Sequence, residues 1–388
     1  MFDFYKKNER FAFQGKILVK KMIILSKSLP NIKVLFSGLI SHNKTYNNLF
    51  YFRLGRDALI SGLSALGLIK NDTIIVPAYI CNSVVQKLTY CGFKVVFVDV
   101  DSSLAIQLES IKKIATQGHV KALLIIHYFG FIKDLTEICN YCQKFNIKII
   151  EDYSHSFLSQ PLLKSEYPRG DMELFSMRKS LPIVDGGAIR FNTDRFTPIN
   201  IADEISSGFI NDTKYLLLRF IEKYVAIFGL NIYGGGFYKP SLNSYEVGCD
   251  LKSYKPSWQL HRYLNNDKYL DEIKHRIDRN FSSIVIKIES MGYTLFVKYL
   301  PIGTIPQAIV IIDNEGGLKN FLRANGVGAW SWPDGDIPAG VSGNVDMYPI
   351  SNFMNSKLVL LPIHQNIKEE HIQYMLDKLS QWLYKDRR

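Results

Sequence analysis

The run FSMRKSLPIVDGGAIRF, Phe175 to Phe191, sets two adjacent cations, Arg178 and Lys179, at the end of an apolar segment. Asp185-Gly186-Gly187 and a fresh apolar strand follow them. A lysine amine in such a position can remain solvated surface charge, or it can hold an aldehyde covalently and carry protons. Other chemistry-bearing residues also stand at strand ends. Glu151-Asp152 closes the apolar run IKII, His155 follows in EDYSHS, His127 closes LLII, and Pro77-Ala78-Tyr79 follows TIIV. One charged residue after a buried strand is often only the first solvated loop position. Several at one sheet edge, with a lysine arriving from the next strand, point to a site.

The elements that must bring them together are read from periodicity. RDALISGLSALGL has helical spacing and ends at Gly67, DTIIVPAYI is a short β-rich run, and CNSVVQKLTYCG is helical again. KVVFVDVD, a helix near Leu108 to Thr116, VKALLIIHYFG, the helix DLTEICNYCQKF and IKIIEDYSHSF continue the alternation. Strands apolar on both faces, each separated by a helix, imply a mostly parallel sheet covered on both sides.

Composition bounds the rest. With 388 residues, 47% hydrophobic and 21% charged, the chain can bury a large core and is expected to divide into a large and a smaller domain. Five cysteines, Cys81, Cys91, Cys139, Cys142 and Cys249, form no paired framework and read as free thiols in a reducing cytoplasm. Cys139 and Cys142 form a C-x-x-C inside a helical pattern, with no second ligand pair, so no metal site is expected. The net charge of +11 suggests an anionic partner, either phosphate groups or a membrane surface. Nucleic acid fits least, because the basic residues are scattered and no nucleic-acid-binding signature is present. The first thirty residues lack a secretory pattern, no run reaches the ~18 apolar residues of a membrane span, and a cytoplasmic location is expected. The apolar stretch Tyr215 to Phe228 reads as a helix for a dimer interface, a lid, or a membrane surface.

GRDALISGLSALGL, VPAYICNSVVQKLTYCGFKVVFVDVD, HYFGFIKDLTEICNYCQKFNIKIIEDYSHSF and FSMRKSLPIVDGGAIRF, in this order and spacing, resemble the DegT/DnrJ/EryC1/StrS aminotransferases. The resemblance covers about Leu54 to Asn192 well, and LVLLPIHQNIKEEHIQYMLDKL more loosely. It implies an α/β fold, the pyridoxal-phosphate (PLP) transferase fold type I, with a large mostly parallel sheet domain and a smaller C-terminal α+β domain. The expected division is residues 1–50 as an extension, 51–245 as the PLP-binding domain and 246–388 as the smaller one. The resemblance also implies pyridoxal 5'-phosphate as cofactor, an amino-acid donor such as glutamate, a keto-sugar acceptor and a homodimer.

Residue by residue, it makes Lys179 the amine that holds the aldehyde, Asp152 the partner of the pyridine nitrogen and His155 a contact on the ring-hydroxyl side. Gly55, with the amides of Arg56 and Asp57, would open a helix toward the phosphate, Ser176 would add a hydroxyl, and Tyr79 would cover one ring face. The sequence also departs from the family. FSMRK is two residues shorter than the usual pattern, and VGCDLKSYKPSWQL has Asp250 and Lys252 where an Asn and an Arg of a phosphate-contacting segment are expected, leaving Lys252 or Lys255 as substitutes. Two alternatives stay open. One is other chemistry on the same fold, such as sugar dehydration, against which Lys179 argues because that branch has His there. The other is a silent scaffold.

Overall fold

The structure is a computed structural model that describes residues 22–36, 49–116, 118–159, 169–205, 209–227, 253–333 and 337–385. A short helix α1 (Ile32–Phe36) precedes β1 (Phe50–Phe52), and then helix and strand alternate: α2 (Gly55–Ala65), β2 (Thr73–Pro77), α3 (Asn82–Tyr90), β3 (Lys94–Val98), α4 (Leu108–Ala115), β4 (Val120–Ile126), α5 (Thr136–Lys144) and β5 (Lys148–Asp152). The strands β6 (Met172–Ser176), β7 (Gly187–Phe191) and β8 (Ile201–Ile205) follow, then the helix α6 (Phe209–Ile227) and β9 (Ser253–Lys255). The remaining elements are α7 (Trp258–Leu264), α8 (Asp267–Ser290), β10 (Thr294–Leu295), β11 (Ala308–Ile312), α9 (Leu318–Ala324), α10 (Ala339–Ser342), α11 (Pro349–Lys357), β12 (Leu358–Pro362) and α12 (Glu369–Leu383).

Nine strands make one sheet in the order β3-β2-β4-β5-β6-β7-β1-β9-β8. From β3 through β6 all neighbours are parallel, and β7 is antiparallel to both β6 and β1. The run VKALLII of β4 is buried at six of seven positions, which is what a central strand with helices over both faces requires. The helix α2 ends where the sequence predicts: Gly67 takes a φ of 86°, Gly67 N–H donates to Ser64 and Leu68 N–H donates to Leu63. It packs closely on the sheet, since a Cβ on Gly62 would stand 2.1 Å from Met172 Sδ.

The smaller sheet, β10-β11-β12, is antiparallel and packs against α8, α9 and α12. The division expected from sequence meets two facts. β9, on the C-terminal side of the 245/246 boundary, pairs with β1 in the large sheet through Tyr51 and Tyr254. One hydrophobic cluster also runs from Phe175 and Met177 of the large sheet through α7 and α8 to β11, β12 and α12, with Ile24, Val34 and Leu35 included. The cysteine reading needs correction. Cys81, Cys139 and Cys142 are free, but Cys91 is disulfide-bonded, and Cys249 lies outside the described residues. Among the described residues no helix is long and apolar enough to cross a membrane.

Residues 22–36 form a strap. Ile24 pairs in parallel with Val327, its N–H donating to Gly326 and its carbonyl accepting from Gly328. His364 Nε2 donates to the Leu25 carbonyl at 3.0 Å, Leu29 N–H donates to Asn366 Oδ1 at 2.8 Å, and Asn31 N–H donates to the Tyr263 hydroxyl at 3.0 Å.

Candidate active site

Lys179 ends a single 3₁₀ turn, Met177–Lys179, between β6 and β7. The turn is closed by Met177 N–H on the Gly186 carbonyl at 2.8 Å and by Ser180 and Leu181 N–H on Met177. Gly186 has a φ of 122°, which an L side chain rarely adopts, and Asp185 Oδ1 accepts from the Ser257 hydroxyl at 2.8 Å. The Asp-Gly-Gly sequence therefore fixes a sharp return that leaves the lysine at the sheet edge. Burial lowers the affinity of Lys179 for its proton, the Asp152 carboxylate opposes that effect, and Arg178 adds to it. A lysine held below its ordinary range gives up its proton more readily, as a nucleophile or a base must.

Asp152 is the last residue of β5, beside β6, and is buried. Its Oδ1 accepts from Ser154 N–H at 2.7 Å, which orients the carboxylate. Behind it lies a closed network. Lys133 N–H donates to His127 Nδ1 at 3.1 Å, so the other ring nitrogen carries the proton and donates to Glu151 Oε2 at 3.0 Å. Tyr153 also donates to Glu151 Oε2 at 2.8 Å, and Gly170 N–H donates to Oε1 at 2.5 Å. Burial would raise the Glu151 carboxyl, but the His127 bond and the other donors hold it below its usual range. His127 and Glu151 are thus spent on holding the strand end and are not free for substrate.

His155 is buried, and its Nδ1 has no hydrogen-bond partner among the described residues. Burial first, and the Lys179 charge second, keep its ring well below the ordinary histidine range, so it is neutral. It stacks on Phe129 (centroids 5.6 Å apart, 11° between planes) and meets Trp332 edge-on at 4.6 Å. Trp332 also lies 5.9 Å from Lys179 Nζ. Phe129 has a φ of 55°, costly for a non-glycine residue, and Gln307 N–H holds its carbonyl at 2.8 Å. Tyr79 stands behind this wall. It is fully buried, its hydroxyl donates to the Trp332 carbonyl, and its carbonyl accepts from Tyr128 at 2.5 Å. Its ring meets Trp332 edge-on at 5.1 Å, and the aromatic rings set against His155 are those of Phe129 and Trp332.

The start of α2 meets this group from the sheet. A Cβ on Gly55 would lie 3.3 Å from both Ser176 Cβ and the Phe175 carbonyl oxygen, and one on Gly187 would lie 2.3 Å from the Leu54 carbonyl. Glycine at both positions lets the helix start sit directly on β6 and β7, with the Ser176 hydroxyl beside it. Arg56 follows at the helix opening. Asp57 departs from expectation: its amide donates to the Leu54 carbonyl at 3.1 Å, and its carboxylate faces the buried Lys87 ammonium at 3.5 Å. It stabilises the helix start instead of presenting a donor to an anion.

These residues fit a pyridoxal phosphate: an amine at Lys179, a carboxylate at Asp152, an anion cradle at Gly55 and Ser176 where a side chain on Gly55 would be crowded, and an orphaned polar atom on His155 against a flat aromatic wall. The helical opening and the strand ends were visible in sequence. Trp332 and Phe129 were not, because an isolated aromatic in a loop carries no periodic signal. Asp250 and Lys252 lie outside the described residues, whereas Lys255 is exposed at the end of β9.

Comparison with known proteins bears on this geometry. Residues 52–201 match the model of the DegT/DnrJ/EryC1/StrS aminotransferase family. The chain is 27% identical over 158 residues to a GDP-perosamine synthase of Vibrio cholerae, covering 40% of this chain and 41% of that one. It is 31% identical over 168 residues to a dTDP-4-amino-4,6-dideoxy-D-glucose transaminase of Shigella dysenteriae, covering 41% and 45%. The matched region thus spans less than half the length of these curated relatives. A DegT/DnrJ/EryC1/StrS aminotransferase from Brucella abortus has the same fold, with a TM-score of 0.61 at 17% identity over 86% of this chain and 85% of that one. So does ntda from Bacillus subtilis with bound cofactor PMP, with a TM-score of 0.60 at 16% identity over 85% and 72%. The family resemblance carried by the four motifs holds over the region that contains them, and the architecture is fold type I.

Proposed function

We propose that this protein is a PLP-dependent aminotransferase that moves an amino group from an amino acid, glutamate by family expectation, to a nucleotide-linked keto-sugar. The observation that carries the reading is Lys179: a lysine with lowered proton affinity, on the turn between β6 and β7, within electrostatic reach of Asp152 and His155. The names of the matched relatives, a GDP-perosamine synthase and a dTDP-sugar transaminase, support the sugar acceptor.

When bound, the cofactor would supply an aldehyde for the amine and a ring that takes up electrons. Lys179 Nζ would hold the aldehyde and, when free, would take and return a proton as general base and acid. Asp152 would keep a proton on the pyridine nitrogen, Gly55 and Ser176 would hold the phosphate, and the Phe129–Trp332 wall would exclude water from one side. His155, neutral, offers Nδ1 to the ring-hydroxyl side. Borohydride reduction of the purified protein followed by peptide mapping tests the assignment. The pyridoxyl label is expected on Lys179, and a label on Lys148 or no label at all would overturn it.

A further inference from the structure

We propose that Ser257, at the start of α7, is a positioning residue for Lys179 that acts through its hydrogen bond to Asp185. This role rests on the aminotransferase reading for the task of Lys179, whereas the bonds that carry it stand without that reading.

Ser257 and Asp185 are 72 residues apart in sequence. Ser257 is fully buried and Asp185 is only 3% exposed. Ser257 caps α7, its Oγ accepting from Leu260 N–H at 3.3 Å. A serine hydroxyl has one hydrogen and a carboxylate can only accept, so that hydrogen is directed at Asp185 Oδ1, 2.8 Å away. Asp185 precedes Gly186, whose carbonyl takes the Met177 N–H at 2.8 Å and closes the turn that ends at Lys179. A continuous path of hydrogen bonds and peptide links therefore joins α7 to the lysine turn.

The turn needs such a fixed point. Beyond the last pair of β6 and β7, Ser176 with Gly187, the chain leaves the sheet and the ladder no longer sets its height. Gly186 and Gly187 have no side chain to anchor the return, so the anchor falls to the residue before them. On the other side, α7 is packed against α1 and α8, which makes Ser257 a firm support. Lys179 is half-buried at this turn. Burial loosens its proton most, Asp152 and Cys81 oppose that effect, Arg178 adds to it, and His155, which feels the Lys179 charge, is neutral. A turn released from Asp185 would let the amine move into water and regain the proton affinity of an ordinary lysine.

Competitive acetylation of the full chain with acetic anhydride across pH, before PLP is added and read by peptide mapping, gives the midpoint at which Lys179 loses its proton. Ser257→Ala should raise that midpoint by about one pH unit, so that Lys179 labels about tenfold more slowly below it. Ser257→Gly, which costs the α7 cap less, should do the same, and Ser257→Thr should restore the wild-type value. Lys378, far from the turn, should label equally in all of them. In an Asp185→Ala background the Ser257→Ala change should add nothing further, because the bond it removes is already gone. An unmoved Lys179 midpoint in Ser257→Gly overturns the proposal and leaves Ser257 a helix cap only. An equal further shift in the Asp185→Ala background overturns it too, since Ser257 would then act by another route. Borohydride labelling after PLP is added separates this from the functional reading. A Ser257-dependent midpoint without a pyridoxyl label on Lys179 sinks the aminotransferase reading and leaves the positioning role standing, and the reverse pattern sinks the positioning role alone.

Discussion

Burial removes charge from His155 and His364 by the same physics that loosens the Lys179 proton, but with different results. At Lys179 the outcome is reactivity. At His364 it is a clamp: Nε2–H serves the Leu25 carbonyl, Nδ1 accepts from Asn366 N–H at 3.3 Å, and burial lowers the ring to about 4. In the unfolded chain a histidine titrates near ~6.5. Between those values the unfolded state binds a proton that the folded state refuses, so stability is full above about pH 6.5 and falls as pH drops toward 4. The difference corresponds to at most about 3 kcal/mol, less to the extent that the ring touches water. Urea unfolding at pH 7 and pH 4.5 should show a smaller acid loss in His364→Gln than in wild type; identical losses would remove the clamp from the account. Lys179, Asp152 and His155 were legible in sequence because each follows a buried strand closely. The bonds of Arg219 to the Lys27 and Ser28 carbonyls were not, because they join segments far apart in sequence.

The contact between β7 and α2 depends on Gly187. A methyl group there would meet the Leu54 carbonyl at 2.3 Å and the Gly55 nitrogen at 2.7 Å, and both are backbone atoms that cannot rotate aside. Gly187→Ala should force the helix start off the sheet, cost about 2–3 kcal/mol and weaken PLP binding. A thermal melt together with a PLP titration checks this, and unchanged values in both would show that the two elements are not coupled as described. Most elements of the large sheet could be read from alternating patterns, since strands buried on both faces are strongly apolar. β9 could not: three residues, Ser-Tyr-Lys, carry no pattern, and tertiary pairing with Tyr51 decides their state. That pairing carries the large sheet past the boundary drawn at 245/246.

For the whole molecule, α6 is the element with two faces. Arg219 turns inward to the strap, while Leu217 and Ile221, four residues apart, are 60% and 41% exposed. We expect this outer face to be covered by a second copy of the chain, as the resemblance implies, because exposed apolar pairs on a helix favour association. Light scattering at low micromolar concentration should give twice the chain mass for wild type and a lower mass for Leu217→Glu combined with Ile221→Glu. A monomeric wild type would end the dimer proposal. The strap has a consequence of another kind, in time instead of space. Its anchors, Gly326, Gly328, His364 and Asn366, lie near the other end of the described chain. During synthesis residues 22–36 therefore leave the ribosome long before the surface they bind exists, and they must wait undocked while the sheet assembles. A chain cut short before its final third would therefore carry both the lysine and the strap, with the strap lacking the surface it docks on.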